Sequence, residues 1–122
     1  MANNTQKSYA LADGGTTVLK FRGHPNYDAF RVENESGSSV DVNFYVSKND
    51  ELDQVSTGDS DTVQLDSTTG LATGSNYGTE VSARTVLVEV SDNTAGDGDP
   101  AGTVYGHNAH DQAENATSFV NR

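Results

Sequence analysis

The sequence predicts an all-β protein, a single antiparallel β-sandwich of Ig-like or jelly-roll-like type with about seven short strands. Three observations carry this reading. Apolar residues alternate with polar ones in several separate runs, the pattern of a half-buried strand. Gly, Asn, Asp and Ser punctuate the gaps between those runs, as turns require. No segment carries the apolar stripe of an amphipathic helix. The chain has 122 residues, a length that fits one domain with one core. Residues 1–122 are therefore read as a single unit, with extended segments at 1–12 and 106–122 available for contacts. The chain begins at Met1 and is expected to be a whole gene product.

Each element follows in order. Residues 1–12 carry two isolated apolar side chains, Tyr9 and Leu11, expected to meet a partner by augmenting a sheet edge. Residues 16–22 (TTVLKFR) form a strand between the turn Asp13-Gly14-Gly15 and the breaker Gly23-His24-Pro25-Asn26. Residues 27–34 (YDAFRVEN) point Phe30 and Val32 inward. Residues 39–47 place Val40, Val42, Phe44 and Val46 on one face and Asp41, Asn43, Tyr45 and Ser47 on the other. The short polar link Glu35-Ser36-Gly37-Ser38 predicts that these two runs form a hairpin. In residues 61–66 (DTVQLD), Val63 and Leu65 are the inward positions.

The stretch 79–91 (TEVSARTVLVEVS) is the most apolar. Val81 and Ala83 share one parity, whereas Val86, Val88 and Val90 share the other. A strand has a side-chain period of 2, so the switch predicts a bulge or a change of neighbours near residues 84–86, or burial of 86–88 on both faces. Residues 58–78 read as the loosest segment. Residues 103–105 and 117–120 are short edge-strand candidates, and 108–116 offers at most one or two exposed helical turns.

Composition narrows the function. Asp plus Glu number 18 against 7 Lys plus Arg, a formal charge of −11, with no Cys and no Trp. Binding nucleic acid takes a basic face that replaces phosphate counterions, so nucleic acid is not an expected partner. No apolar run is long enough for a membrane helix, and no membrane association is expected. The N-terminus lacks a hydrophobic secretory core, so no signal peptide is read there. Without Cys there are no disulfides and no thiolate chemistry. The acids are spread along the chain, a composition whose self-repulsion concentrated salt would screen.

No catalytic constellation emerges, and the protein is read as a non-enzyme. G-x-S-x-G is missing, and His24 sits in a strand-ending turn. His107 and His110, near Asp111 and Glu114, would share a helix face only if the segment were helical. The most metal-like stretch is 91–100 (SDNTAGDGDP), where Asp92, Asp97 and Asp99 crowd hard oxygen ligands among glycines; calcium is the one candidate cofactor, and none is otherwise expected. The EF-hand spacing is not met. Phe119 and Val120, with Tyr9 and Leu11, are the candidate partner contacts.

The paired runs 27–34 and 39–47, the strand ARTVLVEV and the distributed Asp together resemble small virion structural proteins of haloarchaeal tailed viruses, of the capsid decoration, turret or tail type. That resemblance implies a homo-oligomer, a trimer being favoured, which stabilises a particle in brine by binding a major capsid or other virion protein. It would be assembled in the host cytoplasm and located in the virion. The alternative from another class is a small calcium-dependent ligand- or glycan-binding β-sandwich module built on the 91–100 loop.

Overall fold

The computed structural model describes residues 4–93, 96 and 98–108. These form eight strands: β1 (Asn4–Ala10), β2 (Thr16–Arg22), β3 (Ala29–Ser36), β4 (Val40–Ser47), β5 (Thr62–Leu71), β6 (Asn76–Glu80), β7 (Thr85–Asp92) and β8 (Ala101–His107). Sheet A has the order β1-β8-β3-β6 and sheet B the order β2-β7-β4-β5. All pairings are antiparallel. Of consecutive strands only β4 and β5 share a sheet, and every other connection crosses the sandwich. That order is a jelly roll, which decides between the two architectures the periodicity allows.

The alternating residues of both sheets meet in one core. Phe21, Phe30, Phe44, Val32, Val42, Val86, Val88, Val90 and Val104 are buried there. The rings of Phe21 and Phe30, one from each sheet, lie 5.2 Å apart at 57°, in the tilted range that aromatic pairs prefer. Gly102 makes room within sheet A, because a Cβ there would strike the Glu33 carbonyl and the Tyr9 ring of the neighbouring strands.

Several expectations are corrected. Residues 4–10 are a strand of this chain, and Tyr9 and Leu11 are buried in its own core rather than offered to a partner. The expected hairpin of β3 and β4 does not form: β3 lies between β8 and β6, and β4 between β7 and β5. Gly37, at φ 86°, turns the chain across the sandwich and packs so tightly against Asp99 and Pro100 that no side chain would fit. Residues 58–78, read as loose, contain most of β5 and β6. The piece at 103–105 belongs to β8, which is central and not an edge. The parity switch marks the crossing between β6 and β7, two strands in different sheets. Phe119, Val120 and the helical candidate beyond residue 108 lie outside the described residues.

Burial on both faces of β7 also holds. Leu87 faces away from the main core, between Lys20 and Tyr45 in the register, yet it is fully buried. Val55, in the 48–61 connection, is buried as well and belongs to no main-core cluster. The connection therefore folds back over this part of sheet B.

The crossings are held by Asn34, which is 1% exposed. Its Nδ2 donates to the carbonyls of Ser38 and Leu71, both at 2.9 Å, and its Oδ1 accepts from the Tyr9 hydroxyl at 3.3 Å. Asn34→Leu strands the Ser38 and Leu71 carbonyls in the interior, while the Tyr9 hydroxyl keeps the Glu33 carbonyl at 3.2 Å, and each orphan costs about 1–3 kcal/mol. Urea denaturation should place N34L about 2–5 kcal/mol below the parent, comparable to emptying the core with Phe44→Ala.

The same cluster sets a pH response. Burial above all, and then the nearby Glu35 carboxylate, push the Tyr9 hydroxyl up to about 12. Between its ordinary value and that one, the unfolded chain releases a proton that the folded chain keeps, so stability falls as pH rises through this window. The denaturation midpoint should drop between about pH 10 and 12, and Tyr9→Phe should flatten part of that drop.

Candidate functional site

β5 is the edge strand where the sandwich opens. Its pairing with β4 is interrupted twice, between Phe44 and Tyr45 and between Val40 and Val42. At the first interruption β4 advances by one residue while β5 advances from Asp66 to Gln64, so Leu65 has no opposite number. It stands 43% exposed, and Val63 is 59% exposed. Both were expected to face the core. Val63 does keep that parity, opposite Val46, but at this end of the sheet no element of sheet A covers it.

What it faces instead is a cleft of about 550 Å³ between the β4–β5 pair and the β6–β7 crossing. Val46, Val63 and Ala83 supply apolar lining, and Lys48, Asp61 and Arg84 supply charge. Further along β5 the gap is closed. Tyr77 of β6 donates its hydroxyl to both Asp66 oxygens, 3.0 Å each, and its ring lies 6.1 Å from that of Phe44. This hydrogen bond to Asp66, together with burial, raises the Tyr77 hydroxyl above its ordinary value. Asp66 is the only charged residue among the ten of β5, and it is already engaged.

The 48–61 connection borders the cleft and is fastened at its root. Thr85, fully buried, donates its hydroxyl to the Asn49 carbonyl at 2.8 Å, and Arg22 reaches the Asp50 carbonyl at 2.6 Å. Arg84 and Asp50 pair at 3.2 Å, but their side chains are 71% and 53% exposed. Solvent screens such a pair almost completely.

The proposed metal loop is built differently. Asp92 Oδ2 accepts from the Gly14 N–H at 2.9 Å, and Oδ1 accepts from the Ser38 hydroxyl at 2.7 Å. Its carboxylate thus ties the β1–β2 and β3–β4 crossings to the end of β7. Asp99 lies in the segment packed against Gly37, and Asp97 lies outside the described residues. Among the described residues no three His, Asp or Glu side chains come together in a cation-binding group. His24 occupies the turn expected of it, with its N–H on the Ala83 carbonyl at 2.8 Å.

Sequence reasoning finds the strand that builds the cleft and misses the cleft. The signal was there in part: β5 opens with the alternation of Val63 and Leu65 and carries a single charge, which suits an edge that is not defended against pairing.

No family model matches the chain, and no curated protein matches its sequence. Among solved structures, a periplasmic inhibitor of g-type lysozyme from Aeromonas hydrophila is similar, with 10% identity and a TM-score of 0.54, covering 86% of this chain and 86% of that one. The Yersinia pseudotuberculosis-derived mitogen is similar with 6% identity and a TM-score of 0.54, covering 88% of this chain and 87% of that one. The likeness is one of β-sandwich fold. An inhibitor and a mitogen on the same scaffold leave the choice of function to the site.

Two substitutions separate the forces at the cleft rim. Thr85→Val leaves the Asn49 carbonyl without its donor and should cost about 1–2 kcal/mol, with faster amide exchange across 48–61. Arg84→Ala should change stability by less than about 0.5 kcal/mol by the same denaturation assay.

Proposed function

We propose that the protein is a non-enzymatic structural subunit that assembles through the β5 edge and its cleft. One observation carries the reading: Val63 and Leu65, the exposed large hydrophobics among the described residues, both belong to β5, a nearly uncharged edge strand. In a chain of charge −11, an edge with a single carboxylate and two exposed apolar side chains lets a second copy approach with little repulsion and something to bury. Exposed edges of solitary proteins are usually guarded by charge or Pro, and β5 has no Pro and one carboxylate. The two interruptions in its pairing divide β5 into two regular stretches, 62–64 and 66–68.

The finer reading follows from the resemblance. The subunit decorates the particle of a haloarchaeal virus, as a trimer or larger assembly on a major capsid or other virion protein. Brine would screen the distributed carboxylates over a few ångströms and let the apolar edge decide the contact. The fold fits this work without specifying it, because jelly rolls serve capsids and lectins alike.

Light scattering across a KCl series from about 0.1 to 3 M tests it, with circular dichroism to follow the fold. The parent should grow into a discrete oligomer as salt rises, while the double substitution Val63→Asp, Leu65→Asp should stay monomeric with an unchanged β spectrum. A parent that is monomeric throughout, or a double variant that assembles as the parent does, would overturn the proposal.

A further inference from the structure

The outer face of sheet A holds a second feature, remote from β5. The register aligns Tyr105 with Arg31 and Arg31 with Gly78, and in the next outward row His107 with Ala29 and Ala29 with Glu80. Small residues therefore sit between larger ones. The result is a trough of about 400 Å³ whose lining includes Ala29, Gly78, Arg31, Glu80 and His107. We infer that this trough is a binding site for a neutral saccharide of one or two rings, independent of calcium and of the β5 edge.

The argument starts from charge. Arg31 Nη1 pairs with Glu33 at 3.3 Å, so its positive charge is already balanced on its own strand. Glu80 faces the trough from the other side, and Asp28 and Glu80 line the adjoining hollow. An anionic ligand would meet these carboxylates. A cationic one would pair with them but bring no acceptor to the Arg31 donors, whereas an uncharged polyol brings donors and acceptors together.

Shape and hydrogen bonding then favour a sugar. The Arg31 guanidinium lies over the Tyr105 ring, 4.8 Å from its centroid. That ring is stacked on His107, 6.1 Å away at 15°. The β8 side of the trough is thus a ridge of flat groups held in place by one another, ordered before any ligand arrives. The opposite side is the bare backbone of Gly78, which allows a flat C–H face to settle onto the sheet. Glu80 offers two acceptor oxygens at spacing suited to adjacent hydroxyls. Arg31 is 36% exposed and has donors that no acceptor takes among the described residues. Burial first, and Arg31 second, hold the His107 imidazole below its ordinary value and so favour its neutral form. Donors, acceptors and an apolar floor converge within a volume typical of small-ligand sites.

Amide NMR shifts test the inference, with lactose, cellobiose and N,N′-diacetylchitobiose as the probes. At least one should bind in the millimolar range, about −4 kcal/mol, shifting amides of residues 29–31, 78–80 and 105–107. The affinity should hold within about twofold between 0.2 and 2 M KCl, as expected of an uncharged ligand. Gly78→Val fills the trough and should abolish the response. Glu80→Gln, at an exposed position that cannot unfold the protein, should weaken it several-fold and decides the matter if G78V fails to fold. The Val63→Asp, Leu65→Asp variant should bind as the parent does, which separates this site from the assembly reading. The inference is overturned if none of the three probes shifts these amides, if the shifts fall elsewhere, if E80Q binds as tightly as the parent, or if binding collapses with salt.

Discussion

A jelly roll repeatedly takes its chain out of one sheet and into the other, and each departure leaves backbone groups without a ladder partner. Buried carbonyls must be paired, and here one side chain pairs two of them from different parts of the chain. Asn34 supplies two N–H donors to two different connections and one oxygen to the first strand. Its own backbone joins in, with its N–H on the Ser75 carbonyl at 3.0 Å and its carbonyl accepting from Gly74 at 2.7 Å. Five hydrogen bonds thus converge where β1, the β3–β4 crossing and the β5–β6 crossing meet. Aspartate would lack the two donors, and an apolar residue would lack everything. The valine core supplies cohesion without direction; Asn34 specifies which connection goes where.

The opening at β5 is a consequence of the same connectivity. β4 and β5 are the pair that stays within one sheet, and the connection between them is long and folds over Leu87. It leaves the opposite face of the sheet, at Val46 and Val63, to be covered from sheet A. The strand available there, β6, has only five residues and leaves toward β7 before reaching that end. Tyr77 closes the middle of the gap through Asp66, and the end remains a cleft. The exposure of Val63 therefore arises from a mismatch in strand length, ten residues against five, and that of Leu65 from the register interruption beside it.

This explains what was legible beforehand. Alternation is a local property, so the strands around Phe30, Phe44 and Val88 and their inward faces could be read directly. Pairing is not local: the three-residue gap between β3 and β4 looks like a hairpin turn, and only the occupation of both β3 edges by β8 and β6 shows otherwise. The parity switch near residue 84 was a true signal of a change of neighbours, because a crossing resets the face on which the apolar residues lie. Val63 and Leu65 were misjudged because periodicity says which face a residue takes and not whether that face is covered. Tyr9 and Leu11 were misjudged for the opposite reason: two apolar residues in a polar segment look idle until β8 supplies the strand they dock with. The Arg31–Tyr105–His107 ridge joins residues more than seventy positions apart in sequence, and no pattern within either segment announces it.

The charge imbalance also has a structural side. Few cations are present, and most of those described are engaged. Lys7 caps the core edge, its Nζ 5.1 Å from the Phe21 ring centroid and 2.6 Å from the Lys20 carbonyl; Arg22 holds the 48–61 connection; Arg31 stacks on Tyr105. Carboxylates likewise serve as acceptors: Asp92 for Gly14 and Ser38, Asp41 for Gly70 and Asn93, Glu89 for Asn43. Short acidic side chains thus perform at the crossings the tying that backbone ladders perform within the sheets. The remaining carboxylates are spread along the chain, where they repel a second copy unless salt intervenes. The edge strands hold few carboxylates, none in β1 and β2 and one each in β5 and β6, so charge alone does not choose among them. What sets β5 apart is that it also carries the exposed apolar side chains Val63 and Leu65.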